Sequence, residues 1–311
     1  MELLRFGRTE LKVSPAGLGC GGTSRLGMGS GGDASSAERL VRIALDLEIN
    51  FFDTARVYGT EEIVGRAVAG RRADVVISSK TMFRRRDETY MRASDLVVSL
   101  EKSLTRLKSD YVDVFSLHGV TDEHLDYCIN EYVPELERQK SLGKIRHLGI
   151  TESFRKEPQH QMLVRAIPTG CFDVVMVGFN FLNPLAREEV LHLAIEHDVA
   201  TQIMHAVRRA LSNRERLQET VVELVERGEI DPTVVDLANP LGFVGRAGES
   251  ITDIAYRYCR HEPGVSVVLT GTGSADHLAK NVAAINDGPV PDKIMYELGR
   301  AFGQVRSTSA D

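Results

Sequence analysis

Eight short β-rich runs alternate with longer amphipathic stretches along this chain, and that alternation constrains the fold more than any other feature. The runs are Pro15–Gly19, Ile49–Asp53, Val75–Lys80, Val112–His118, His147–Thr151, Val174–Gly178, Ala200–Met204 and Val265–Leu269. Between them apolar residues recur every three or four positions, the spacing of one helical face. Examples are Leu40, Ile43, Ala44 and Leu47 in Ser35–Leu47, Leu96, Leu100, Leu104 and Leu107 in Ser94–Lys108, and Leu278, Val282 and Ile285 in Ser274–Ile285. The run Ser35-Ser36-Ala37-Glu38 reads as a capping box that starts the first of these helices. Strands joined through helices pair in parallel by right-handed crossovers, and eight such units over 311 residues are what a closed barrel requires. The expected fold is α/β, a single (β/α)8 TIM barrel formed by residues 1–311 as one domain.

Three departures from minimal spacing refine this picture. In Met1–Val13 a Gly7-Arg8 turn lies between Leu4/Phe6 and Leu11/Val13, the pattern of an N-terminal β-hairpin closing the barrel bottom. Gly19–Gly32 is rich in Gly and Ser without an apolar period, and His205–Gly264 holds an extra helix near Arg214–Arg227. Both read as loop and helix insertions at the C-terminal face, bordering a site.

Charge and cysteine usage exclude several classes of partner. Lys+Arg 38 against Asp+Glu 44 gives a net charge of −6, which repels nucleic acid and acidic lipid surfaces. No apolar run reaches the roughly 18 residues of a membrane helix, and Met1-Glu2-Leu3-Leu4-Arg5 lacks a secretory apolar block, so the expected location is cytoplasmic. Cys20, Cys128, Cys171 and Cys259 are dispersed with no CxxC, which suggests free thiols and no metal site. Self-association into a homo-oligomer is left open.

In a parallel barrel the chemistry sits at the carboxyl ends of the strands. Asp53, Lys80 and His118 each close an apolar strand, and Tyr58 follows Asp53 within one loop. A phenol has a pKa of about 10, and a nearby ammonium stabilises its phenolate. On that reading Lys80 lowers the pKa of Tyr58, Asp53 anchors Lys80, and His118 polarises a substrate carbonyl. Singly, each residue is more readily structural than catalytic; their joint placement carries the argument.

These residues lie in runs that resemble the aldo/keto reductase family. The runs are Asn50-Phe51-Phe52-Asp53-Thr54-Ala55-Arg56-Val57-Tyr58-Gly59, then Ser99-Leu100-Glu101-Lys102-Ser103-Leu104-Thr105-Arg106-Leu107 leading through Asp110-Tyr111-Val112-Asp113 to Leu117-His118, and Gly143-Lys144-Ile145-Arg146-His147-Leu148-Gly149-Ile150. The resemblance implies a nicotinamide cofactor bound without a Rossmann domain, and a catalytic tetrad carried over onto Asp53, Tyr58, Lys80 and His118. It implies hydride transfer between the nicotinamide and a carbonyl or alcohol, with an aldehyde, ketone or aldose as the small-molecule substrate. Gly17-Leu18-Gly19-Cys20-Gly21-Gly22 also fits the GxGxxG fingerprint, but no helical pattern follows it to aim a dipole at a pyrophosphate. Backbone at Cys20 and Gly21 is instead expected to border the nicotinamide and substrate.

The cofactor contacts depart from the family pattern more than the tetrad does. Its Ser-Asn pair after the fifth strand is Thr151-Glu152 here, where the glutamate keeps acceptor capacity for a carboxamide. The usual glutamine is Met176, and the ring-stacking tyrosine is Met204, followed by His205. Arg208 and Arg209 are candidates for pyrophosphate or substrate anions. The segment Gly271-Thr272-Gly273 leads into a helix bearing His277, Lys280 and Asn281, resembling the family's adenosine-phosphate segment. The lysine and arginine that many members direct at a 2′-phosphate align with Gly271 and His277, which narrows the preference for NADP(H) over NAD(H) without reversing it. Two rivals stand beside this reading: a non-catalytic nucleotide-binding subunit or sensor, and a barrel metal hydrolase, which lacks the HxH pair it needs.

Overall fold

The computed structural model describes residues 1–311. Two short strands, β1 (Leu4–Arg5) and β2 (Lys12–Val13), pair antiparallel as the expected hairpin. Eight further strands follow: β3 (Ala16–Gly19), β4 (Phe51–Asp53), β5 (Val76–Thr81), β6 (Val112–Val120), β7 (Ile145–Glu152), β8 (Val174–Gly178), β9 (Ala200–Met204) and β10 (Val267–Thr270). Each is parallel to its neighbours in chain order, and β10 pairs with β3 to close the barrel. The structure is therefore the (β/α)8 barrel that the alternation implies.

Strand periodicity separates two apolar layers. On β5, Val76 belongs to the barrel interior and Ile77 to the shell beneath the helices; on β4 the same split divides Phe51 from Phe52. The interior floor comprises Phe51, Val76, Val114, Val174, Ala200 and Val267, with Phe6 and Val13 of the hairpin packed against it as a plug. Phe6 and Phe51 rings lie 5.4 Å apart. Gly7 permits that docking: its φ is +51°, and a Cβ there would lie 2.5 Å from the Ala200 amide nitrogen. The outer layer, 76 buried residues, joins strands to helices, and each fully buried Leu or Val in it contributes about 1.5–3 kcal/mol.

One local reading is corrected. The first helix spans Ala34–Asp46 and is capped by Asp33, which accepts from the Ser36 amide at 2.8 Å while Ser36 Oγ accepts from the Asp33 amide at 3.1 Å. The capping box is thus Asp33/Ser36, because Ser35 already lies inside the helix. The Gly19–Gly32 loop holds tight turns over Arg25–Ser30, interrupted by the left-handed Leu26 and Gly27. The expected extra helix is present at Arg214–Glu226. Beyond the last helix, Asp292–Phe302, the chain returns as Gly303–Asp311 to the carboxyl ends of the strands, where Ala210 N–H donates to Ala310 O. No helix is long and apolar enough to cross a membrane.

Candidate active site

Alternation along the strands also carries the polar chemistry inward. On β5 the residues sharing a side with Val76 are Ser78 and Lys80, and on β4 the partner of Phe51 is Asp53. Lys80 Nζ donates to Asp53 Oδ1 at 2.6 Å and to the Thr54 carbonyl at 3.0 Å, and both side chains are buried. Burial by itself disfavours the ammonium, but Asp53 and Tyr58 outweigh it and hold the Lys80 pKa above its usual value. Burial pushes the Asp53 carboxyl upward, with Lys80 opposing it.

Tyr58 ends a tight turn, Arg56–Tyr58, that follows β4 and closes at Gly59 with φ +70°. Lys80 Nζ lies 4.9 Å from its ring centroid. The phenol oxygen is 3.4 Å from His118 Nε2, and the two rings stand edge to face at 89°. Sequence reasoning expects Lys80 to pull the phenol below its ordinary pKa; the structure gives the opposite net direction. Burial is the larger influence and raises it, with Lys80 only partly offsetting that rise. Tyr58 therefore keeps its proton at neutral pH. Burial, reinforced by Lys80, lowers His118 to about 3, so its imidazole is neutral.

Asp53, Tyr58 and His118 line a cavity of about 1010 Å³ at the carboxyl ends of the strands, and Lys80 is buried behind that wall against Asp53 and the Tyr58 ring. Another depression, about 550 Å³ beside Leu4, Gly7 and Ser266, lies at the opposite end and holds none of the four. One cavity thus unites a protonated phenol, a neutral imidazole and a buried ion pair. Its wall also includes Gly271, Thr272 and His277 at the start of the helix Ala275–Asn286, whose cap, Ser274, accepts from the His277 amide at 3.3 Å.

The family model described as "Aldo/keto reductase family" matches residues 19–299. The chain belongs to the aldo/keto reductase family. It is 29% identical over 296 residues to the uncharacterized oxidoreductase YqkF of Bacillus subtilis, covering 92% of each chain. It is also 29% identical over 301 residues to L-galactose dehydrogenase of Arabidopsis thaliana, covering 92% of this chain and 89% of the relative. The holo structure of the aldo-keto reductase AKR11C1 from Bacillus halodurans superposes with a TM-score of 0.75 over 100% of both chains, at 24% identity.

Within this aldo/keto reductase, eleven of the fifteen residues expected at the cofactor face the cavity: Gly21, Met176, Met204, His205, Arg208, Arg209, Gly271, Thr272, His277, Lys280 and Asn281. The other four do not. The Cys20 thiol is fully buried against the Leu18 carbonyl at 3.6 Å, and its amide donates to Asp53 O at 2.8 Å. Thr151 Oγ1 is taken by the Gly119 amide at 2.7 Å. Glu152 lies on the opposite side of β7 from Thr151, among the outward residues that include Leu148 and Ile150. There it binds His160 Nδ1 at 2.9 Å and accepts from the Gly178 amide at 2.7 Å, so its oxygens are spent inside the protein. Gly273 serves packing: a Cβ there would sit 2.4 Å from Gly27 Cα, where the first loop crosses the last.

The cavity also gathers Arg155, Ser250, Thr252 and Asp253, which the sequence reading passed over. Ser250 and Asp253 carry the Ser-x-x-Asp spacing of a helix start, and Ser250 Oγ does accept from the Asp253 amide at 3.1 Å. That signal locates a helix terminus. Nothing local says that this terminus meets the barrel rim.

Proposed function

We propose that this chain is an NAD(P)-dependent aldo/keto reductase that interconverts a carbonyl and an alcohol, with residues 1–311 acting as one barrel domain. The observation that carries the reading is the meeting of Tyr58, His118 and the Asp53–Lys80 pair in one cavity at the carboxyl ends of the strands. The cavity has the size of a ligand site, and it offers a helix start for phosphate at Ala275 and close backbone approach at Gly21 and Gly271. These features fit a dinucleotide. When bound, the nicotinamide supplies or accepts the hydride.

The chain's own residues handle the proton and the orientation. Tyr58 donates its hydroxyl proton to the carbonyl oxygen in reduction and takes it back as a base in oxidation. Lys80 opposes the effect of burial, keeping the phenolate accessible, and Asp53 holds Lys80 in place. His118, neutral and 3.4 Å from the hydroxyl, orients the carbonyl oxygen. Met176 and Met204 line the cavity and would offer a bound nicotinamide apolar contact without donors of their own. NADP(H) is the proposed cofactor ahead of NAD(H), supported by His277 and Lys280 on the wall beside the helix start. The substrate class is a small aldehyde, ketone or aldose; the relative that is an L-galactose dehydrogenase supports including sugars.

Replacing Tyr58 with Phe tests this reading. Turnover of 4-nitrobenzaldehyde with NADPH is expected to fall about 10²–10⁴-fold, with NADPH affinity by fluorescence unchanged. Undiminished turnover would remove Tyr58 from the chemistry. Nucleotide binding without turnover of any carbonyl by the unaltered protein would favour a sensor or subunit role instead.

A further inference from the structure

We propose that Arg155, Arg208 and Arg209 form an anion subsite at the mouth of the catalytic cavity, occupied in this structure by the side chain of Asp311 and taking a carboxylate or phosphate carried by the substrate. The inference rests on the oxidoreductase reading above and extends it to a substrate class.

Three observations converge on this subsite. All three arginines line the cavity that contains Tyr58 and His118. Their guanidinium groups meet on one carboxylate: Arg155 Nε lies 2.9 Å from Asp311 Oδ2, Arg208 Nε 3.0 Å from Oδ1 and Arg209 Nε 3.6 Å from Oδ1, while an Arg208 Nη atom donates to Oδ2 at 3.1 Å. Burial acts against the Asp311 carboxylate, yet Arg208 and Arg155 outweigh it and hold its pKa below the usual carboxylate value. The socket thus favours the ionised form of the carboxylate it holds.

The same geometry leaves capacity for a second ligand. Three guanidinium groups face one side-chain carboxylate, an excess of positive charge in a wall that also serves the catalytic cavity. The side chains of Arg155 and Arg209 are 70% and 65% exposed and neither hydrogen-bonds Asp311, their nearest nitrogens lying 2.9 and 3.6 Å from it, while Asp311 Oδ1 and Arg208 Nε have no hydrogen-bond partner, so the socket is incompletely satisfied. His205, on the same wall, has its Nδ1 buried without a partner. Asp311 reaches the socket on a strap fastened elsewhere, through Asn183 Nδ2 to Thr308 O at 2.9 Å, Ala210 N to Ala310 O at 3.1 Å and Arg216 to the Asp311 carbonyl at 2.9 Å. The side chain can therefore yield its place while the strap stays attached. A substrate anion that displaces Asp311 exchanges one carboxylate for another, whereas a neutral substrate leaves the socket closed.

Two nearly isosteric aldehydes test the subsite, 4-carboxybenzaldehyde and the neutral 4-nitrobenzaldehyde, together with benzoate binding to the NADP-loaded protein by calorimetry. Asp311→Asn is expected to lower KM for the carboxylate substrate about tenfold relative to that for the nitro compound, and to tighten benzoate binding by a similar factor. Asp311→Glu, which keeps the charge, should behave like the unaltered protein. Adding Arg155→Met and Arg209→Met to Asp311→Asn should reverse the gain. An Asp311→Asn variant with an unchanged KM ratio and unchanged benzoate affinity would overturn the proposal and make Asp311 a strap anchor only. Competition between benzoate and NADP would also overturn it, assigning the arginines to the dinucleotide. Tightened benzoate binding in a protein that turns over neither aldehyde would support the subsite while refuting the oxidoreductase reading on which its substrate assignment depends.

Discussion

The ring of Tyr58 fills the space where a side chain at Gly21 would begin. A Cβ at Gly21 would lie 2.5 Å from Tyr58 Cε2 and 2.6 Å from Cζ, well inside van der Waals contact. The first loop thus acts as a template for the phenol, reinforced by Arg25, whose Nε donates to the Tyr58 carbonyl at 2.9 Å. Gly21→Ala should displace the ring and reduce kcat about 10²-fold, the scale of a misplacement near 1 Å. Steady-state kinetics beside thermal melts checks this: the expected outcome is lost turnover with a melting temperature nearly unchanged, since Gly21 lies at the cavity and not in the core.

Lys80 opposes the rise that burial imposes on Tyr58, so its removal has a defined sign. Lys80→Met should move the alkaline limb of the pH–rate profile upward, because the phenol loses the one group that lowers its pKa. It should also destabilise the fold by about 3–5 kcal/mol, as Asp53 is left buried without its partner. Chemical denaturation and a pH profile on the same protein separate the two effects. An alkaline limb that stays in place would disconnect Lys80 from the proton donor.

Glu152 pairs with His160 where its place in the sequence suggests a cofactor contact. Glu152→Ala should therefore cost about 2–4 kcal/mol of stability, because the buried His160 ring and the Gly178 amide each lose a hydrogen-bond partner, with NADPH affinity little changed. Denaturant midpoints and nucleotide titration distinguish this from a carboxamide contact, for which the affinity would drop and the stability would hold.

His118 is neutral in the folded protein, with its pKa near 3 against 6.5 for the free side chain. Between those values the unfolded chain binds the extra proton, so stability rises with pH through this window and is lost as pH falls from 6.5 toward 3. Each such group adds about 1.4 kcal/mol per pH unit to the slope. Other groups titrate in the same range, so the measurement is a difference: His118→Gln should reduce the slope of unfolding free energy between pH 6 and 4 by about that amount. Equal slopes for the two proteins would place the His118 pKa near its ordinary value.

The aldo/keto reductase barrel was legible because its determinants are local. The strands sit where alternating runs place them, and the parity that turns Val76 inward also turns Lys80 inward, so Asp53, Lys80 and His118 are readable as rim residues without coordinates. The same parity, followed one residue further along β7, separates Glu152 from Thr151 and hides it under the helices, against the expectation from the family pattern.

What the sequence determined by itself is everything that follows from the period of two along a strand and of about 3.6 along a helix: eight parallel units, their order, the plugging hairpin and the face on which chemistry lies. Tertiary structure alone decided the balance of burial against charge at Tyr58, the withdrawal of Glu152 into a pair with His160, and the meeting of Asp311 with Arg155, Arg208 and Arg209. The physical reason is range. Periodicity is set by neighbours in the chain, whereas desolvation and ion pairing depend on which distant segments share a few ångströms of space.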